Sequence, residues 1–213
     1  MYTPQIFDWS DVQSIHTQMR RHPFALLLTQ HQGALHTSHL PFHLDSRRGP
    51  NGTLSAHLAR ANPHCEALIA GAASQVVFTG PNAYISPRWY SEPSRNVPTW
   101  NYVAIHAFGR PVIARELQTV LRNIATLTDA HEQGRAQPWS IGEAQALSEK
   151  LAAHVLAFEI PIERIEGKRK LSQNRSETDR IGVMNALRED ESADAQEIAL
   201  LMEALYAPEG KLA

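Results

Sequence analysis

The sequence has little of several features that commonly identify a protein's compartment or class. It has one cysteine, Cys65, in 213 residues, so no internal disulfide can form and a reducing compartment is indicated. No apolar run approaches the roughly 20 residues that span a membrane. The first residues, MYTPQIFDWSD, are acidic and aromatic, whereas a leader peptide is basic and then apolar. We therefore expect a cytoplasmic protein without a membrane partner.

The short motifs of several enzyme classes are also missing. There is no GxGxxG or P-loop pattern, which argues against a dinucleotide fold and a nucleoside triphosphatase, and there is no GxSxG nucleophile elbow. Eleven histidines are present, and His36, His39 and His43 lie close together. On a strand, however, His36 and His39 point to opposite faces, and no cysteine pair or HExxH motif accompanies them. We expect no metal site.

The sequence also has no large excess of charge of either sign, with 20 basic and 22 acidic residues. The formal net charge is −2 and the isoelectric point about 6.6, so the overall balance does not attract nucleic acid. The densest positive run is RIEGKRKLSQNR, in which Lys168, Arg169 and Lys170 would have to carry any contact with DNA. A run of this kind is more often a solvated face or a local anion site.

Four acidic residues form a cluster between the last two predicted helices: Glu189, Asp190, Glu191 and Asp194. A helix-turn-helix would place this turn near DNA phosphates, where the sign of the charge is wrong. The sequence therefore argues against that element.

The hydrophobic pattern predicts an α+β protein. Predicted strands are FALLLTQ, ALHTSHLPFHL, TLSAHLA, SQVVFTG, WNYVAIHAFGRPVIA and VLAFEIPIERIEG. Their hairpin-like spacing favours a small antiparallel barrel. Between and after them we predict helices, the first capped by Asp8 or Ser10 and a short one capped by Asn62 with Pro63 at its first position. Ser140 and Glu143 form a predicted capping box.

One segment takes much of the aromatic content. YISPRWYSEPSRNVPTWNYVAIHAFG holds three tyrosines, two tryptophans, a phenylalanine and three prolines, in a chain that is 7% aromatic. Prolines prevent a continuous helix, so a structured loop that leads into a strand is predicted. Such a loop lines either a dimer contact or the wall of a site for a flat ligand.

A set of polar residues suits a phosphorylated heterocycle. Ser38 and His39 lie in one predicted strand and His57 in the next, while Arg60 and Asn62 fall at a helix start, where a guanidinium and free N–H groups favour a dianion. Rings and donors for the heterocycle are offered by Trp100, Tyr102, Lys170, Ser172 and Gln173. The alternatives are that Arg60 only pairs with a carboxylate and that the aromatics only pack a dimer core.

At these residues the chain resembles the PaiB-type family of FMN-binding negative transcriptional regulators. The matching segments are RRHPFALLLT, TSHLPFHLD, LSAHLARANPH, VVFTGPNAYISPRWY, VPTWNYVAIHAFGRP and KLSQNRSETDRIGV. They span nearly the whole chain in the family's order. The resemblance implies an α+β fold with an antiparallel, FMN-binding split β-barrel, flanking helices and a C-terminal helical extension, similar to pyridoxamine-phosphate oxidases.

The resemblance also implies a homodimer with two FMN sites at the subunit interface. The strand from Thr37 to Leu40 runs along the flavin in such barrels, the segment from Arg60 to Pro63 meets its phosphate, and the partner subunit closes over the ring. We assign residues 1–175 to the barrel and 176–213 to the extension. The predicted cofactor-binding residues are Thr37, Ser38, His39, Leu40, His57, Arg60, Asn62, Trp100, Tyr102, Lys170, Ser172 and Gln173.

Three functions remain open from the sequence. The first is a flavin-binding regulator of the PaiB type that acts through DNA or a regulatory protein partner. The second is a flavin-dependent oxidoreductase, in which FMN supplies the electrons and the protein the orientation. The third is a heme-handling protein on the same barrel with a histidine as axial ligand.

Overall fold

A computed structural model describes residues 1–207, which form nine strands and six α-helices with short 3₁₀ turns between them. The strands are β1 (Asp8–Trp9), β2 (Phe24–His31), β3 (Ala34–Pro41), β4 (His43–Asp45), β5 (Thr53–Ala59), β6 (Ser74–Ile85), β7 (Thr99–Gly109), β8 (Val112–Ile113) and β9 (Val155–Lys170). The helices are α1 (Val12–Arg21), α2 (His64–Ile69), α3 (Leu117–Glu132), α4 (Gln145–Ala152), α5 (Glu177–Arg188) and α6 (Ala193–Tyr206).

Local chemistry accounts for the first elements. Helix α1 begins after Asp11, whose carboxylate accepts hydrogen bonds from the backbone N–H groups of Gln13 and Ser14. The predicted cap at Asp8 or Ser10 is therefore wrong, and Asp8 belongs to β1 instead. The hairpin of β2 and β3 is confirmed, because Gln32 and Gly33 both have positive φ and form the two-residue turn that matches the strand twist.

Two strands are longer than predicted. Strand β6 continues through Pro81 to Ile85 because Ala83 and Ile85 still alternate into a buried core. Strand β9 continues to Lys170 because Lys168 is buried as well. The predicted aromatic loop is accordingly confined to the residues between Ile85 and Thr99, where prolines start two 3₁₀ turns.

The sheet follows the order β3-β2-β6-β7-β9-β5-β4, with β1 and β8 also paired to β9. The described chain divides into two compact units, and β6, β7 and β9 contribute residues to both. We call Asp11–Phe78 with Ile105–Glu166 the sheet unit, and Met1–Ser10, Thr79–Ala104 and residues 167–207 the helical unit. The predicted domain boundary between residues 175 and 176 stays a prediction.

The sheet unit pairs its strands antiparallel, as β2 with β3 and β6, and β5 with β4 and β9. Its core includes Phe42, which meets Phe78 and Phe158 edge-to-face at centroid distances of 6.0 and 6.4 Å. Helix α3 packs on β5, and its Val120 and Leu127 side chains are buried. The predicted capping box of Ser140 and Glu143 is confirmed, and it starts a 3₁₀ turn before α4.

The helical unit has its own core between α5, α6 and the ends of the strands. Ile85, Leu171, Val183, Ile198 and Met202 are at most 1% exposed in it. Helix α5 approaches the chain closely at Gly182, where an added Cβ would lie 2.3 Å from the carbonyl oxygen of Trp89. Within residues 1–207 the structure contains no helix that is long and apolar enough to cross a membrane.

Candidate functional site

Three polar side chains of the sheet unit bond to one another, and we call Ser38, Asn62 and His64 the Ser38 cluster. Ser38 Oγ lies 2.9 Å from His64 Nδ1, and Asn62 Nδ2 donates to Ser38 Oγ at 3.2 Å. The Asn62 Oδ1 atom accepts from the backbone N–H of His64 at 2.9 Å. Strand β3 supplies the serine and the start of α2 supplies the other two residues, so the cluster ties the helix start to the strand.

The histidine of this cluster is buried and neutral. Because Asn62 donates to the Ser38 hydroxyl, that hydroxyl can donate to His64 Nδ1, which leaves the ring proton on Nε2. His64 is 1% exposed, and its Nε2 has no hydrogen-bond partner within residues 1–207. Burial, together with the neighbouring His36, lowers the pKa of His64 to about 4. The cluster therefore offers a buried N–H donor but no charge at neutral pH.

The predicted run from Thr37 to Leu40 divides between two faces of β3. Ser38 and Leu40 are buried, whereas Thr37 and His39 are exposed. The His39 ring stacks on Phe24 at a centroid distance of 6.1 Å, away from the cluster's bonds. Alternation along the strand thus brings only every second residue of the run to the buried face.

Arg60 is a cation without a counter-ion. Its backbone N–H donates to the carbonyl of His154 at 2.9 Å, while its exposed guanidinium forms no hydrogen bond or ion pair within the described chain. The alternative that Arg60 pairs with a carboxylate is not seen there. Its positive charge does act on the Cys65 thiol, whose pKa is raised by burial and held down in part by Arg60. The guanidinium is therefore close to the start of α2 and available for an anion.

The prediction of free N–H groups at this helix start is wrong. The helix proper begins at His64, one residue later than predicted, and Asn62 accepts the His64 N–H through its side chain and the Cys65 N–H through its carbonyl. The Glu66 N–H is bonded to the Pro63 carbonyl. A tight turn has used these donors locally, so the charge for a bound anion has to come from Arg60.

His57 has a separate environment. Its Nδ1 lies 3.3 Å from Oδ1 of Asn123 on α3, and Asn123 also bonds the Phe158 carbonyl. Burial lowers the pKa of His57, which this hydrogen bond partly offsets. His57 thus links β5 to α3 and makes no hydrogen bond to the Ser38 cluster.

Three predicted cofactor-binding residues of the helical unit already form hydrogen bonds within the chain. Lys170 Nζ donates to the Trp100 carbonyl at 2.8 Å and to the Thr99 hydroxyl, and burial lowers its pKa with help from Lys168 and Arg175. Buried Ser172 accepts from Asn101 at 3.0 Å. The Gln173 amide uses both ends on the backbone, accepting from the Leu171 N–H and donating to the Arg169 carbonyl.

The two aromatic rings predicted to contact the flavin, those of Trp100 and Tyr102, lie in different surroundings. Trp100 is 51% exposed and meets Tyr84 edge-to-face, whereas the Tyr102 ring lies 5.2 Å from Lys168 Nζ. Lys168 is only 7% exposed, and its Nζ donates to the Tyr2 carbonyl. The run of Lys168, Arg169 and Lys170, which would have to carry any contact with DNA, is therefore not a fully exposed basic surface.

Two histidines were not among the predicted site residues: His64, which belongs to the Ser38 cluster, and His36, which packs against it. His64 bonds Ser38, and the His36 ring stacks on His64 at 5.6 Å. A signal for His36 existed, since it is two residues from Ser38 on a strand and so shares its face. His64 directly follows Asn62-Pro63, but nothing in the sequence places it against β3.

The class of fold follows from this arrangement and from solved structures with similar backbones. The chain superimposes with a TM-score of 0.57 on an FAD and heme binding protein from Mycobacterium smegmatis, which is 17% identical over 79% of this chain and 76% of that one. The flavocytochrome Anf3 from Azotobacter vinelandii gives 0.57 at 12% identity, over 77% of this chain and 69% of that one. The fold is an α+β antiparallel split β-barrel, as predicted.

The family is established by sequence. Residues 1–164 match the family described as "Putative FMN-binding domain". The protease synthase and sporulation protein PAI 2 of Bacillus subtilis is 32% identical over 95% of this chain and 97% of its own length. An uncharacterized protein of Emericella nidulans is 30% identical over 87% and 89%. The chain belongs to this FMN-binding family, and FMN is its cofactor.

The Ser38 cluster and Arg60 fit the phosphate end of that cofactor. A phosphate dianion needs a cation and hydrogen-bond donors, and Arg60 offers an unpaired guanidinium while His64 offers a buried N–H without a partner. When FMN is bound, it supplies the redox chemistry. This chain's residues supply binding and orientation.

Proposed function

We propose that this protein is a homodimer that holds the FMN phosphate at the Ser38 cluster and Arg60 and acts as a negative transcriptional regulator of the PaiB type. The observation that carries the FMN site is the buried Nε2 of His64, which has no partner within residues 1–207, four residues along the chain from the exposed Arg60, which forms no ion pair there. A buried donor left unpaired costs about 1–3 kcal/mol, which a bound anion would recover. Light scattering tests the dimer, and a monomer mass at micromolar concentration would contradict it.

The helical unit holds five of the predicted cofactor-binding residues, among them Lys170. Lys168 and Lys170 form no ion pair with a carboxylate within residues 1–207, so neither ammonium group has a counter-ion there. Lys170 also keeps one N–H beyond its two bonds. The roles of Trp100, Tyr102, Ser172 and Gln173, and of His57, Thr37, His39 and Leu40 on the other strands, stay predictions.

The regulatory part of the proposal rests on likeness to PAI 2 of Bacillus subtilis, whose name ties it to protease synthase and sporulation. Because Lys168 is buried, direct contact with DNA through the basic run has no support. We therefore favour a protein partner as the route of regulation. Transcript profiling of a deletion strain tests this part, and unchanged transcripts would count against it.

Replacing Arg60 with alanine should weaken FMN binding about tenfold to a hundredfold. A charge-assisted hydrogen bond contributes roughly 1.5–3 kcal/mol, and Arg60 is exposed, so the fold should stay intact. Quenching of FMN fluorescence on titration measures the affinity. Arg115→Ala, another exposed arginine just before α3, is the matched control and should change little. Equal FMN affinity in the Arg60→Ala variant and the wild type would place the phosphate elsewhere.

A further inference from the structure

A cavity of about 400 Å³ lies in the helical unit, at the turn between α5 and α6. Its walls include three aromatic rings and two carboxylates, those of Tyr84, Trp89, Trp100, Asp190 and Asp194. Small-molecule sites commonly enclose about 300–1,000 Å³, so its size suits a small ligand. It shares no residue with the Ser38 cluster or Arg60.

The aromatic walls form a corner. Tyr84 and Trp100 meet at 77° with centroids 6.2 Å apart, and they remain 46% and 51% exposed. Trp89 is held in place because α5 passes its backbone at Gly182 with no room for a side chain. The ring surface that stays exposed in such an edge-to-face pair includes electron-rich faces, which attract a cation.

The carboxylates have spare acceptor capacity. Asp190 Oδ1 accepts from the Ser192 N–H at 2.9 Å, and Asp194 Oδ2 accepts from Asn82 Nδ2 at 3.2 Å. Each carboxylate therefore keeps one oxygen that bonds nothing in the described chain. Neither forms an ion pair with a basic side chain among residues 1–207. A local turn bond to Ser192, the residue before α6, accounts for one oxygen of Asp190, but it explains neither the three rings nor the absence of a basic partner for the carboxylates among residues 1–207.

We propose that this cavity binds the cationic group of a small organic ligand, an alkylammonium or a guanidinium. Two carboxylates repel anions such as the FMN phosphate, while aromatic faces with nearby carboxylates are the chemistry that recognises organic cations. A hard metal ion would require more oxygen ligands than the cavity's two aspartates and amide readily supply. The site goes beyond the proposed FMN function and gives Trp100 a ligand other than the flavin ring.

Choline and its uncharged tert-butyl analogue are the probes, titrated into the full-length protein at constant ionic strength with tryptophan fluorescence as the readout. Choline should give a saturable change and the analogue should not. Trp100→Leu should weaken choline binding about twofold to thirtyfold, the range expected for a cation over an indole. Asp190→Asn combined with Asp194→Asn should weaken it about tenfold. Equal binding of both probes, or of choline to wild type and double variant, would overturn the proposal.

Two controls distinguish binding in this cavity from a general charge effect and from flavin binding. Glu189→Gln removes an exposed carboxylate of the same turn that does not line the cavity, so choline affinity should not change. Titration of the Trp100→Leu variant with FMN shows which ligand Trp100 contacts. If this variant loses affinity for FMN but keeps its affinity for choline, then the Trp100 indole contacts the flavin and the proposed cation site is refuted. If choline binds only after dilution has dissociated the dimer, then a lysine or arginine of the second copy occupies the cavity in the dimer. That result would also contradict the proposal that the cavity binds a small ligand.

Discussion

Replacing Gly109 with alanine is expected to lower the free energy of unfolding by about 3 kcal/mol. A Cβ at this position would lie 2.2 Å from the carbonyl oxygen of Pro161 and 2.7 Å from Cγ2 of Ile160, well inside van der Waals contact. Neither atom can move aside cheaply. Both residues belong to β9, where Pro161 and Ile160 are in register with Thr53 and Leu54 of β5. Relief of the clash therefore requires a shift of strands in the sheet unit.

Thermal unfolding without added ligand measures this effect. A loss of about 3 kcal/mol corresponds to a melting temperature lower by about 6–12 °C in a chain of this size. Gly142→Ala is the control, because its added Cβ would meet nothing closer than the Ser140 hydroxyl at 3.6 Å. An unchanged melting temperature for Gly109→Ala would mean that β7 and β9 do not approach each other this closely.

The strands and turns were predictable where local chemistry decides them. The hairpin of β2 and β3 needed only alternation and a turn in which Gly33 accepts positive φ. Strand ends were less predictable, because Pro81 and the charged Lys168 read as endings in the sequence. Both strands continue because Ile85 and Lys168 are buried in tertiary contacts. Such contacts outweigh the local preference of a proline or a charged residue, and the sequence alone does not reveal them.

The candidate site was predictable in its composition and not in its bonding. Ser38, Arg60 and Asn62 were identified from residue type and order along the chain. Their arrangement depends on His64, whose ring reaches Ser38 across 26 positions of sequence. The Asn62 side chain also competes for the amide that was expected to be free, which is the usual behaviour of asparagine at a helix start.

Acid is expected to destabilise the protein through His64. Burial holds the pKa of His64 at about 4 in the folded chain, against an ordinary value of 6.5 in the unfolded chain. Between these two values the unfolded state binds more protons, so the free energy of unfolding rises with pH. The contribution of His64 is complete above pH 6.5 and is lost as the pH falls from 6.5 towards 4. A difference of this size corresponds to about 3 kcal/mol.

Urea unfolding at a series of pH values tests this expectation. His64→Gln keeps a polar group for Ser38 but removes the titrating imidazole. Between pH 6.5 and pH 4 the free energy of unfolding of the wild type should therefore fall by about 3 kcal/mol more than that of the variant. His43 and His57, whose pKa values burial also lowers, are retained in both proteins and cancel in the comparison. His39→Gln, the same substitution on the exposed face of β3, is the matched control for loss of an imidazole outside the Ser38 cluster. Parallel curves for wild type and His64→Gln would show that His64 is not buried in the folded chain.

Urea unfolding at the same pH values, repeated with saturating FMN, also tests whether the FMN phosphate lies near His64. An anion near His64 favours the protonated ring and raises its pKa towards the ordinary value. Saturating FMN should therefore reduce the loss of stability between pH 6.5 and pH 4 in the wild type and have no such effect in His64→Gln. If FMN binds but leaves the wild-type pH dependence unaltered, then its phosphate lies away from the Ser38 cluster, and Arg60 and His64 do not share an anion.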